Sequence, residues 1–223
     1  MRLLAVCIIL HLAVTTATAQ EEPEYRVEVG AGAGSATYLG DYNGNLLKGI
    51  QPWGALTGKY RFTPRTALAL SVGFSKFKGN SSKAGTWYPG EQYSFDKQMI
   101  DAGVRVEYNF WAYGTGREYR GARRVVPFIT LGIGATYHAN PESGVAFNLP
   151  LGAGVKVKVA TRLNLSAEWR MHFTFSDKLD GVKEPYGIKS SGLFKNCDGF
   201  SILQIALTYD LWEKCKTCNN DRY

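Results

Sequence analysis

The sequence predicts an all-β fold: an eight-stranded antiparallel transmembrane β-barrel with short periplasmic turns and longer extracellular loops. Three observations predict it. The chain opens on a leader typical of exported proteins. Apolar and polar residues then alternate over runs of ten residues or more, and the links between those runs switch between tight and long.

Met1-Arg2 is a short basic start, Leu3 to Val14 is mostly apolar, and Ala17-Thr18-Ala19 has the small residues of a cleavage site. Residues 1–19 therefore read as a signal peptide cut before Gln20. An N-terminal membrane anchor is the weaker reading, because a spanning helix needs ~20 apolar residues. Leu4-Ala5-Val6-Cys7 has a faint outline of a lipoprotein site, but Cys7 stands too early, with no apolar stretch before it. Beyond the leader no apolar run is long enough for a transmembrane helix.

A hydrophobic content of 45% would suit a soluble protein, yet 25 Gly and 13 Tyr against only 3 Met suit β-structure with aromatic belts. Loss of Arg2 with the leader turns 26 basic residues into 25, which face 19 acidic ones, for a mature charge of about +6. An exported chain of that sign meets anionic headgroups or an acidic partner, so outer-membrane lipids are expected and nucleic acid is not.

The strands follow in order. Tyr25–Tyr38 carries Gly30 to Gly34, whose glycines ease packing and bending within a strand. Gln51–Phe62 and Ala67–Lys78 flank the tight turn Thr63-Pro64-Arg65. Ser94–Trp111 sets Ile100, Ala102, Val104, Val106, Tyr108 and Phe110 against Asp101, Gly103, Arg105, Glu107 and Asn109. Val125–His138 is the fifth strand. Val145–Val159 alternates Phe147, Leu149, Leu151, Ala153, Val155 and Val157 with Asn148, Gly152, Gly154, Lys156 and Lys158. After Ala160-Thr161-Arg162, Leu163–Ser176 sets Leu165, Ala167, Trp169, Met171 and Phe173 against Asn164, Ser166, Glu168, Arg170 and His172. Gly199–Trp212 is the last.

Soluble strands average 5–6 residues, whereas a bilayer crossing needs ~9–11. With the leader, that length favours lipid on the apolar face over the core of a soluble sandwich. An even count closes the sheet without edges, and eight strands leave room only for side chains, so this is not a porin. Asp101, Arg105, Glu107, Lys156, Lys158, Glu168, Arg170 and Asp210 should interdigitate inside, where charges need partners. A structural ion-pair network is the bland reading of this set; a conduction or proton path is the sharp one.

Long links at Leu39–Ile50, Gly79–Tyr93 and Asp177–Asp198 should be extracellular, which puts both termini in the periplasm. Two links bend the pattern: Ala139–Gly144 is outside but short, and Ala112–Arg124 is periplasmic but long. The latter carries Arg117, Arg120, Arg123 and Arg124. It reads either as a solvated turn beside inner-leaflet headgroups or as a docking surface for a periplasmic protein. Arginine forks, which grip carboxylates bidentately, lean toward the second.

Three cysteines survive cleavage: Cys197, Cys215 and Cys218. Export permits disulfides, and the odd number leaves one thiol over. Cys197 precedes the last strand and the other two follow it. A strand of that length at ~3.3 Å per residue holds them too far apart to bridge within one monomer. Cys215-Lys216-Thr217-Cys218 is a C-x-x-C in the expected periplasmic tail, residues 213–223, beyond a barrel of residues 20–212. A zinc site would need two more ligands and a redox site a thioredoxin-like helix, so a local disulfide or a covalent bond to a partner remains. No cofactor or metal is expected.

Nor is an enzyme expected. His138 and His172 are the mature histidines, and neither sits in a recognisable triad pattern. His172 belongs to the lumen face; His138 lies near Glu142 and Ser143.

Two segments carry a resemblance. Val29 to Asp41, Gly-rich and ending Tyr38-Leu39-Gly40-Asp41, and Glu168 to Val182, running through Phe173-Thr174-Phe175 into Leu179-Asp180-Gly181, resemble the PorG-like outer-membrane barrels of Bacteroidetes. The resemblance spans nearly all of the mature chain. It implies a barrel component of the type IX protein secretion system, associated with a periplasmic ring of PorK-like lipoprotein and PorN-like subunits, and no catalytic residues. The basic turn and the Cys215/Cys218 tail would be its points of contact. The other reading from the residues is a generic surface barrel whose extracellular loops, Trp87-Tyr88-Pro89-Gly90 among them, bind a ligand or host surface.

Overall fold

A computed structural model describes residues 24–39, 49–80, 94–114, 121–139, 143–175 and 199–213, without the side chains of 77–80 and 94–97. They form eight strands: β1 Tyr25–Leu39, β2 Gln51–Arg61, β3 Thr66–Asn80, β4 Ser94–Asn109, β5 Val125–Ala139, β6 Gly144–Ala160, β7 Leu163–Thr174 and β8 Gly199–Glu213. Each pairs antiparallel with its neighbour in sequence, and β8 returns to β1, from Leu39 opposite Gly199 to Tyr25 opposite Glu213, closing the barrel. Closure leaves no unpaired edge, which lipid requires.

Every predicted strand is present, with ends within two residues of the expected ones. The alternation is as read. Leu70, Ile133 and Leu207 point outward and are exposed, while Asp101, Arg105, Lys156 and Asp210 are buried in the lumen. A largely apolar exterior around a charged interior is the inverse of a soluble protein, and it holds together only if lipid covers the exterior.

The tight turns have local causes. Thr63 Oγ1 accepts hydrogen bonds from the N–H groups of Arg65 and Thr66, at 3.1 and 2.9 Å. That closes the β2–β3 link over Pro64. The β6–β7 link is tighter still: the register slips between Lys158 and Ala160, and Thr161-Arg162 makes the turn.

Inward glycines decide how the lumen fills. Gly132 lies opposite Arg105, Gly134 opposite Asn148, Gly152 opposite Arg170 and Gly154 opposite Phe128. A Cβ on Gly152 would come 2.6 Å from Arg170 Cγ, and one on Gly73 would come 2.0 Å from the Trp53 ring. Long side chains thus lie down over the missing side chains of the next strand, and a narrow barrel holds arginine and tryptophan without splaying.

Candidate functional site

The lumen is the most structured chemistry of the described residues. Toward the end that carries the termini, three carboxylates and four cations form one connected cluster. Glu107 accepts from Lys59 at 2.7 Å and also from Lys156. Glu28 accepts from Arg61 and from the Thr208 hydroxyl. Asp210 joins Arg61 at 2.9 Å and Lys158 at 2.6 Å, and takes an Asn164 amide hydrogen at 2.9 Å. All seven ionic groups are buried. Buried charges are tolerated when paired and hydrogen-bonded, and here each cation has a carboxylate.

The mid-lumen is less ionic. Trp53 Nε1 donates to Gln204 Oε1 at 2.7 Å, Arg170 donates to the same oxygen at 2.9 Å, and Thr130 donates to Glu168 at 2.9 Å. Arg105 donates to Ser71 Oγ at 2.7 Å. Toward the opposite end, Asp101 Oδ1 accepts from Thr136 and Asn148, each at 2.8 Å. His172 stacks on Phe200 with ring centroids 4.2 Å apart, its Nδ1 3.3 Å from Asn148 Oδ1.

All eight predicted lumen charges lie in this interior, as does His172. Glu28, Lys59 and Arg61 were not anticipated there, although they tie the cluster together. The signal was present: Lys59 and Arg61 alternate with Tyr60 and Phe62, and Glu28 precedes Val29. His138 is buried as well, so both histidines among the described residues face away from the lipid side.

The described first part of the link between β4 and β5 packs against the barrel. Tyr113 folds back into the barrel mouth and is only 5% exposed. Its N–H donates to the Pro64 carbonyl at 3.0 Å and its hydroxyl to Asn164 Oδ1 at 2.7 Å. Lys156 Nζ, Arg61 Cζ and Lys158 Nζ stand 4.7, 5.3 and 5.7 Å from its ring centroid. Burial first, and then the Glu28 carboxylate, hold its phenol above the ordinary range, so it stays neutral and remains a donor. The ring face shares the cationic field of the cluster beneath it.

Of the four predicted contact arginines, Arg123 and Arg124 are described and exposed. The Arg123 guanidinium lies 4.4 Å from the Trp111 ring centroid, and the Arg123 backbone N–H donates to the Ala112 carbonyl at 2.8 Å. The Arg124 carbonyl accepts from the Lys158 N–H at 2.8 Å. Arg117, Arg120, Cys197, Cys215 and Cys218 lie outside the described residues, as do residues 1–19 and the Trp87 to Gly90 segment. β8 runs one residue into the expected tail, to Glu213, which pairs with Arg162 at 2.9 Å.

A family model for the outer membrane protein beta-barrel domain matches residues 5–205. The chain belongs to that family. Its members' location follows: this outer-membrane barrel crosses its membrane with the eight strands. Among solved structures, Neisserial surface protein A is similar at 15% identity, over 83% of this chain and 97% of that one, with a TM-score of 0.52. Ail of Yersinia pestis, solved with the heparin analogue sucrose octasulfate, is 11% identical over 85% and 100% with a TM-score of 0.49. OprG of Pseudomonas aeruginosa is 10% identical over 86% and 97% with a TM-score of 0.48. At these identities the likeness is one of fold. A comparison with curated proteins gives no match.

Proposed function

We propose that this outer-membrane barrel is a non-catalytic anchor, the barrel component of a type IX secretion assembly, oriented with both termini in the periplasm. One observation carries the anchor reading: the lumen is filled by a connected ion-pair cluster and capped by Tyr113. A barrel whose described lumen is filled by side chains acts from its rims. The rim that carries the termini also carries the arginine-rich β4–β5 link, with Arg123 and Arg124 exposed beside Trp111 and Arg117 and Arg120 in the same segment. The Arg123 guanidinium, held on the Trp111 face, suits the carboxylate of a protein partner. The resemblance to PorG-like barrels names that partner as the periplasmic ring of PorK-like and PorN-like subunits, with the Cys215/Cys218 tail as a second contact.

The test is co-purification of the ring subunits from detergent extracts of a strain that expresses the tagged barrel. Replacing Arg117, Arg120, Arg123 and Arg124 together by Gln should strip the ring subunits while the barrel still folds. Retention of the full ring would rule out the basic link as the contact. Non-reducing gels should show a higher-mass adduct that Cys215→Ser or Cys218→Ser abolishes; survival of every adduct in both single variants and the double removes the tail bond.

The second reading is a surface barrel that binds a ligand through its outer loops. What favours it is the placement of the links after β1, β3 and β7, all long and all at the end opposite the termini. Shortening those three loops separates the readings, since an anchor should still support cargo export.

A further inference from the structure

Five of the six lumen cations of the described residues have a carboxylate within ion-pair distance: Lys59, Arg61, Lys156, Lys158 and, at 3.8 Å, Arg170. Arg105 has none. It is 2% exposed, its one hydrogen bond is to the neutral Ser71 hydroxyl, and its Nε has no partner. The Nε of Arg170, a residue 1% exposed, has no partner either. A guanidinium carries five N–H donors and keeps its charge, so burial with one neutral acceptor is costly.

The two arginines are linked by one row of strand register. Arg105 lies opposite Gly132 on β5; two residues on, Thr130 lies opposite Gly152 on β6, and Gly152 lies opposite Arg170 on β7. A Cβ on Gly132 would meet Arg105 Cγ at 2.7 Å, and one on Gly152 would meet Arg170 Cγ at 2.6 Å. Both stems therefore lie flat over a glycine, with Thr130 as the side chain between them. Of the charges acting on Arg105, the strongest is the like charge of Arg170, ahead of Glu168, Asp101 and Glu107. The described lumen as a whole holds six cations, the five above and Arg105, against Glu28, Asp101, Glu107, Glu168 and Asp210.

We propose that the mid-lumen between Arg105 and Arg170 holds a small monovalent anion of the halide class, which takes the unpartnered N–H donors and neutralises the surplus cation. A halide needs no directional geometry, unlike a carboxylate. A water molecule could accept from the same donors but would leave the surplus charge in place.

The test uses the complete barrel in detergent. Crystals soaked in bromide should give an anomalous peak between the two guanidinium groups. In solution at constant ionic strength, replacing gluconate by bromide should raise the unfolding temperature along a saturating curve. The rise should be about 3 °C for each tenfold step above the dissociation constant. Arg105→Gln should lose both the peak and the bromide dependence, and Arg105→Lys should keep part of the dependence. No bromide peak in the wild type, or a wild-type unfolding temperature that is the same in both salts, would overturn the proposal. The wild-type measurements decide it even if the Gln variant fails to fold.

Discussion

The Tyr113 hydroxyl donates to Asn164 Oδ1 across the barrel mouth, at 2.7 Å, while Asn164 Nδ2 donates to Asp210 Oδ1 at 2.9 Å. One asparagine thus ties the cap to the ion-pair cluster below it. Tyr113→Phe removes the hydrogen bond and keeps the ring over the cations. A loss of about 1 kcal/mol in urea unfolding is expected. Tyr113→Ala removes the ring as well and should cost more, with faster hydrogen exchange at the Asn164 end of β7. Equal stability of the two variants would mean that the ring contributes nothing.

Glu107 is the shared acceptor of Lys59 and Lys156. Glu107→Gln leaves two buried ammonium groups with one fewer carboxylate, and a loss of about 3–5 kcal/mol is expected. Lys156→Met in the Glu107→Gln background should recover part of that loss, because it removes one of the stranded charges. Unfolding midpoints of the single and double variants measure the coupling. Simple additivity of the two changes would contradict the shared-acceptor account.

The glycine packing makes a paired prediction. Gly73→Ala places a methyl 2.0 Å from the Trp53 ring, whereas Gly54→Ala meets nothing within 4 Å. The first should cost about 1–3 kcal/mol through displacement of the indole from its bond to Gln204. The second should be close to neutral. Trp53 fluorescence should shift in the first variant only.

Leu70 faces outward and is 57% exposed. If lipid covers that face, Leu70→Arg should destabilise folding into vesicles by about 2–4 kcal/mol, the cost of an arginine near the bilayer midplane. A neutral result would place this position outside the hydrocarbon.

The barrel was legible in the sequence because its two faces obey one rule over long distances. Ile100 to Phe110 alternates without a break, and a strand of that length has few explanations besides a bilayer. The strand ends were legible because Thr63-Pro64-Arg65 and Thr161-Arg162 are strong local turn signals. The lumen was half legible. Its charges sit on the expected face, but period-2 reading assigns a face and not a partner. The meeting of Glu28 with Arg61, 33 residues on, depends on the register of β1 on β2, and its meeting with Thr208, 180 residues on, depends on closure of the barrel. The 2.8 Å bond between Thr136 and Asp101 likewise depends on register, because the two lie opposite each other on β5 and β4. Tyr113 was missed because it lies in a link, where no periodicity applies; its burial follows from cations supplied by β2 and β6.

An anchor of the proposed kind has a filled lumen. Planar-bilayer recording of the purified protein tests it most directly. A filled lumen gives no stable conducting steps at either polarity, in the wild type and at moderate voltage. Reproducible unitary currents from properly folded wild-type protein would contradict it, because ions would then be passing the Glu28, Glu107 and Asp210 cluster that fills the lumen.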